Sequence, residues 1–308
     1  RSEPPSPPSA GRGAGGRHML LRIVSIIFPL FAIVLAGWFY GRRHKPDMAL
    51  ANQLNMDVFV PALVFAALAG KSFDLLSYQA LAVGGIAVVL GSGLLAWPLA
   101  RLLKVDSKTF LPPMMFNNSG NMGLPLAVLA FGEAALPAAV VLFLVENLLH
   151  FSLGVWMLDH RARLITLWRM PMMLAALAGL AASLSGIALW PPLLTAIRML
   201  GDISIPLLLF TLGVRLAGAS FHAWGIGLAG AAARPVLGML IAWAAGWALG
   251  LSPQHQSMLL VFGALPPAVL NYVFAERYRQ EPEKVASIVM IGNVAALLFI
   301  SMALAIVL

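Results

Sequence analysis

Asn117-Asn118-Ser119-Gly120-Asn121-Met122-Gly123-Leu124-Pro125 sets four polar side chains, two glycines and a proline inside an otherwise apolar run. At membrane depth such a stretch is tolerated only where protein buries it or where it lines a wet cavity, so an interrupted helix is expected here. The N-terminus of a half-helix presents unpaired N–H groups with partial positive charge, and Asn117, Asn118, Ser119 and Asn121 add neutral hydrogen-bond donors beside Gly120 and Pro125. Donors of that kind suit a carboxylate and add no permanent charge that would trap it. Alternatively, each amide merely satisfies released backbone or ties helices together; for the cluster as a whole an anion site is the stronger expectation. Leu265-Pro266-Pro267-Ala268-Val269-Leu270-Asn271 forms a second interruption later in the chain, and adds Pro266, Pro267 and Asn271 as candidates. Two interrupted segments in matching positions of two half-chains point to a transporter site.

Nine of the twelve acids fall in the tail or in loops, whereas Asp57, Glu146 and Asp202 sit inside apolar runs. A carboxylate at membrane depth faces a cavity, pairs with a cation, or titrates, and desolvation raises its pKa toward neutrality. Glu146 and His150 are one helical turn apart, so they form either a proton relay or a buried polar pair. Asp57 and Asp202 either couple proton movement or cap broken helix segments. Arg198 and Arg234 are the cations placed within apolar runs; either would neutralise an acid or attract a substrate, and Arg198 can equally snorkel outward.

The elements that position these groups follow from composition. The 308 residues are 60% hydrophobic and 10% charged, with a mean hydropathy of +0.89, which nearly excludes a soluble enzyme. No cysteine is present, which removes disulfides and thiolate metal sites. A bilayer core about 30 Å thick needs roughly 20 apolar residues per helix. Ten such spans run approximately 20 to 40, 48 to 69, 75 to 100, 109 to 131, 134 to 158, 169 to 187, 192 to 217, 223 to 249, 254 to 275 and 284 to 308. Residues 1–18 are rich in Pro, Gly, Ser and Arg and are expected to be a disordered tail or an upstream translation artefact. Span 1 is expected to stay in the membrane, because its strongest basic cluster, Arg42, Arg43 and Lys45, follows it. Thirteen Lys and Arg fall in loops 1-2, 3-4, 5-6, 7-8 and 9-10, which assigns those loops to the cytoplasm and both termini to the outside.

A patterned self-similarity joins the two halves. Asp57-x-x-x-Pro61-x-x-x-Phe65 recurs as Asp202-x-x-x-Pro206-x-x-x-Phe210, Gly85 and Gly93 recur as Gly230 and Gly238, all at a shift of 145, and Asn147 recurs as Asn293 at 146. Five spans per half is odd, so the second copy must enter the membrane from the opposite face. The expected fold is an all-α membrane protein of ten helices in two inverted five-helix repeats, 19–160 and 161–308, with broken, crossing helices 4 and 9. A proline lacks an N–H and displaces the carbonyl four residues back, so Pro61, Pro125, Pro206, Pro266 and Pro267 release the carbonyls of Asp57, Asn121, Asp202, Phe262 and Gly263. In lipid each released carbonyl must find a partner.

NNSGNMGLP in span 4, ALPPAVLNYVFAERYRQEPEKVA across span 9 and its loop, and the DxxxP/F pattern of spans 2 and 7 resemble the auxin efflux carrier family of membrane transporters, over essentially Met19 to Leu308. The family includes plant auxin carriers and bacterial proteins linked to malate or malonate. The resemblance implies ten helices in two inverted repeats, crossover prolines at Pro125 and at Pro266 and Pro267, and Asn117 to Asn121 near the substrate carboxylate. Only about ten residues join spans 5 and 6, so the long cytosolic loop of the plant carriers is lacking and a bacterial-type member is expected.

Gly70-Lys71-Ser72 resembles the end of a phosphate-binding loop, but Phe65 stands at the first required glycine, and no GxSxG or HExxH signature occurs. The expected activity is therefore not enzymatic. It is secondary transport of a small organic anion, a carboxylate or dicarboxylate, by alternating access, with proton coupling first, uniport second, and sodium coupling as in the bile-acid symporters third. A receptor or assembly subunit with a ligand pocket is the alternative from another class. Expected partners are the anion and the lipid bilayer of a bacterial inner membrane, with no nucleic acid, no cofactor and no metal, and with room for a homodimer.

Overall fold

The computed structural model describes residues 12–69, 75–161, 169–186, 189–218 and 223–308. The first eleven residues of the expected tail, Arg163 and the Gly70-Lys71-Ser72 fragment lie outside the described residues. Among those described, the chain is helical, and its one isolated antiparallel bridge joins Asn117 to Pro267.

Among the described residues, seven helices are long and apolar enough to cross a membrane: Arg17–His44, Ala49–Leu68, Leu76–Leu102, Glu133–Leu158, Pro191–Ala217, Trp224–Ala248 and Pro282–Val307. They occupy the places of expected spans 1, 2, 3, 5, 7, 8 and 10. Span 6 is the 14-residue helix Pro171–Leu184. Spans 4 and 9 are each two short helices around an unwound centre: Ser107–Met115 and Ser119–Phe131, then Pro253–Ala264 and Leu270–Arg277. The first helix starts at Arg12, ahead of the fold start expected at Met19, because a long apolar helix propagates into adjoining Gly- and Arg-rich residues without a new nucleation cost.

Prolines are accommodated in different ways. Pro61 and Pro125 each follow a π turn, Asn55–Phe59 and Ser119–Gly123, in which the N–H of Val60 bonds the Asn55 carbonyl and that of Leu124 bonds the Ser119 carbonyl. The wider turn makes room for the ring that would otherwise strike the preceding carbonyl. Pro206, the repeat counterpart of Pro61, sits in the uninterrupted helix Pro191–Ala217. The sequence correspondence is thus not matched by identical helix breaks.

Helix Arg17–His44 packs along Pro191–Ala217 through reciprocal glycines: a Cβ at Gly213 would lie 1.9 Å from the Val34 carbonyl oxygen, and one at Gly37 would lie 2.1 Å from that of Phe210. Only a missing side chain permits that approach. Trp224–Ala248 packs against both Pro282–Val307 and Pro253–Ala264, and so backs the second break. Phe28, Leu94, Trp247 and Leu298 are strongly exposed on the outside, an apolar surface that suits lipid and would be an aggregation liability in water.

Candidate functional site

The two unwound centres lie side by side and satisfy each other. The Asn118 N–H donates to the Pro266 carbonyl at 2.8 Å and the Ala268 N–H donates to the Phe116 carbonyl at 3.0 Å. Each break also lends an asparagine to the phenylalanine carbonyl that precedes the other. Asn117 Nδ2 donates to the Phe262 oxygen at 2.8 Å, and Asn271 Nδ2 donates to the Phe116 oxygen at 3.1 Å. Phe262 was one of the two carbonyls released by the proline pair. The other, Gly263, accepts from Arg234 Nη1 at 3.1 Å. Arg234 is fully buried within Trp224–Ala248, in a notch left by Gly238, where a Cβ would fall 2.2 Å from Nη1 and 2.1 Å from the Gly263 oxygen. A cation at the end of helix Pro253–Ala264 also complements the partial negative charge of its last carbonyls.

Asn293 closes the junction. It accepts from Asn118 Nδ2 at 2.7 Å and donates to the carbonyls of Pro267 at 3.0 Å and Val289 at 2.8 Å. Its repeat counterpart Asn147 likewise donates to the carbonyl four residues back, that of Phe143, at 2.8 Å. Each such buried bond contributes about 0.5–1.5 kcal/mol, and an orphaned partner costs about 1–3 kcal/mol.

A cavity of about 290 Å³ opens beside this junction. Asn117, Asn118, Gly120 and Asn121 form one wall, and Glu146, Asn147 and His150 another. The cavity extends past Asn52 and Met170 to Thr211 and Arg215, at the helix ends that adjoin loops 1-2, 5-6 and 7-8. Asn121 and Arg215 have no hydrogen-bond or ion-pair partner among the described residues, so their donors are free to meet a guest. The other three polar side chains of the stretch are engaged: Asn117 and Asn118 across the junction, and Ser119 as a donor to Glu146 Oε2 at 3.0 Å.

Glu146 and His150 are both buried. Glu146 Oε2 accepts from Ser119 and, at 3.1 Å, from Asn147 Nδ2, while Oε1 stands 3.2 Å from His150 Nδ1. The imidazole is clamped by Phe116, stacked at a centroid distance of 4.1 Å and 6° between planes, and by the edge of Phe274 at 5.2 Å. The pair therefore couples directly to the first break through Ser119 and Phe116. A π turn, His150–Gly154, begins at the histidine.

The structure brings Asn117, Asn118, Gly120, Asn121, Glu146 and His150 to one cavity. Pro125, Pro266, Pro267 and Asn271 shape the junction behind it and do not line it, and Ser119 lines a narrow crevice with Gly123 and Leu265. Asp57 and Asp202 stand apart. Both are exposed, neither lines the cavity, and among the described residues neither side chain has a hydrogen-bond partner, so the expected capping of a break is not seen. Arg198 is exposed as well. Sequence reasoning missed Asn52, Thr211 and Arg215 as lining groups. The available signal was spacing: Asn52, Met56 and Val60 recur every fourth residue, and Leu208, Thr211 and Arg215 share one helical face.

Residues 160–304 match the family described as membrane transport protein. The chain is 22% identical over 284 residues to the uncharacterized transporter YfdV of Escherichia coli K12, an alignment covering 84% of this chain and 90% of the relative. It is 21% identical over 299 residues to the uncharacterized transporter MJ1031 of Methanocaldococcus jannaschii, covering 91% and 97%. With its apolar helices long enough to span a membrane, its paired breaks and these matches, this chain is a multi-pass membrane transporter that resembles the auxin efflux carrier family in its bacterial-type members.

Proposed function

We propose that the protein is a secondary carrier for a small organic anion, a carboxylate or dicarboxylate such as malate or malonate, working by alternating access in a cell membrane. The observation that carries this reading is the free amide of Asn121 beside the backbone of the first break, in a cavity whose one unpaired guanidinium among the described lining residues is Arg215. Neutral donors at the floor and a cation toward the opening draw an anion in without holding it permanently. The seven long helices, the short Pro171–Leu184 and the two interrupted pairs are read as ten crossings in inverted repeats, 19–160 and 161–308, with both termini outside. In that orientation the cavity extends toward the cytoplasmic loops and the structure is inward-facing. Glu146 and His150 supply the proton coupling in this reading: a carboxylate oxygen and an imidazole nitrogen stand 3.2 Å apart, buried beside the anion cavity. Flux of radiolabelled malate into proteoliposomes, with and without an imposed proton gradient, tests the whole: gradient-stimulated uptake is expected, and absence of carboxylate flux in every condition contradicts it.

A further inference from the structure

His150 belongs to two cavities. Its Nδ1 edge faces Glu146 in the large one. Its other edge faces a narrow cleft of about 10 Å³ lined by Lys108, Gly154, Leu158, Asn271 and Ala275. Gly154 marks which edge this is, since a Cβ there would lie 2.9 Å from His150 Cδ2, the carbon bonded to Nε2. His150 Nε2 and Asn271 Oδ1 are both buried, both without a hydrogen-bond partner among the described residues, and both on residues that line this cleft. Its volume is close to the room one water molecule needs, and two buried polar atoms with no other partner are the setting in which such a water is held.

We infer that a water bound between His150 Nε2 and Asn271 Oδ1 gives the histidine a proton path to the Lys108 surface that bypasses the anion cavity. This path rests on the proton-coupled reading of the site. The imidazolium gives its Nε2 proton to the water, which passes a proton on to solvent at Lys108, and leaves a neutral ring with Nδ1 still toward Glu146. The charged groups that share a cavity with the ring are Glu146 on its own helix and Arg215 in the large cavity, and Lys108 in the cleft. Leu270–Arg277 and Pro282–Val307 present Asn271, Phe274 and Val285, none of which titrates. Lys108 at the mouth disfavours a lingering hydronium, so the proton leaves to bulk instead of resting there. A carrier built this way releases its proton while the anion still fills the cavity.

The test separates net transport from exchange in proteoliposomes. Net malate uptake driven by a proton gradient requires His150 to lose its proton inside, whereas malate exchange lets the loaded carrier shuttle with the proton in place. Ala275→Val fills the cleft with carbon; net uptake is expected to fall by about tenfold or more while exchange is unchanged. Ala275→Ser keeps a small polar wall and is expected to retain both. Should Ala275→Val fail to insert, Val285→Ile narrows the same cleft from the neighbouring helix and is read the same way. Equal loss of net uptake and exchange, or no loss of either, overturns the second path. If wild-type net uptake ignores the proton gradient while exchange persists, proton coupling falls and this path with it; no malate flux in either mode defeats the carrier reading itself.

Discussion

The two breaks are made from opposite materials. The first, Phe116 to Gly123, is polar, opens on a π turn and turns Asn117, Asn118, Gly120 and Asn121 toward the cavity. The second, Leu265 to Val269, is apolar, offers prolines whose released carbonyls are satisfied by Asn117 and Arg234, and contributes only the chain around Ala268 and Val269 to the cavity wall. Under the proposed function the first break recognises the anion, and the second is the one that is held. Two stretches able to interrupt a helix therefore need not play the same part. The second break has its released carbonyls satisfied by Asn117 and Arg234, while in the first the amide of Asn121 alone has no partner among the described residues and faces the cavity.

That division can be attacked from both sides. The largest effect is expected from Asn117→Leu, which orphans the Phe262 carbonyl at the junction. Thermal unfolding in detergent should show a loss of about 1–3 kcal/mol, together with lost malate binding. Gly238→Ala, on the holding side, drives a methyl into Arg234 and the Gly263 oxygen; a destabilisation of about 1–3 kcal/mol is expected, and an unchanged melting temperature would show that the notch has slack. Asn121→Ala removes a donor that touches no described protein group. Its signature is the reverse, a Kd weakened by about tenfold, or about 1.4 kcal/mol, at unchanged stability, measured by calorimetric titration with malate. Pro267→Ala should lower the melting temperature by removing the ring packed toward Gly292 while altering Kd less than Asn121→Ala does.

The smallest effect lies where the two broken segments are tied at their loop end. Thr109, in the helix before the first break, donates to Glu281 Oε2 at 2.6 Å and accepts from Gln280 Nε2 at 3.1 Å, and Glu281 is paired with Lys284. The bond from Lys284, then that from Thr109, holds the Glu281 carboxyl below its ordinary value of 4.5. A carboxyl lowered in the folded state stabilises above its ordinary value, and that contribution is lost as pH falls through the depressed one. Wild type should therefore melt slightly above Glu281→Gln at neutral pH, with the gap closing on acidification below about pH 4.5; a gap that persists in acid would mean the tie is not electrostatic.

Much of this was legible in the chain because proline chemistry is local. Pro266 and Pro267 name Phe262 and Gly263 as released carbonyls whatever the fold, and a polar run in an apolar span announces a break. The partners were not legible, because Asn117 lies 145 residues from Phe262 and nothing local says which helix end meets which. Nor does spacing alone orient a helix about its axis. Asp57 and Asp202 carry the repeat pattern as clearly as Asn147 and Asn293, yet the acids face outward and the asparagines face in. Pro206 shows the same limit, since it sits in a continuous helix while Pro61, its repeat counterpart, follows a π turn. Arg215 was visible only as one more loop cation until Thr211 and Asn52 placed it on the cavity wall.

The most direct test of the division between the breaks is malate counterflow in proteoliposomes carrying wild type, Asn121→Ala or Pro267→Ala at matched folded protein. Exchange should be rapid in wild type, reduced by about tenfold in Asn121→Ala and clearly less reduced in Pro267→Ala. Equal exchange in Asn121→Ala and wild type, or a greater loss in Pro267→Ala, would contradict it.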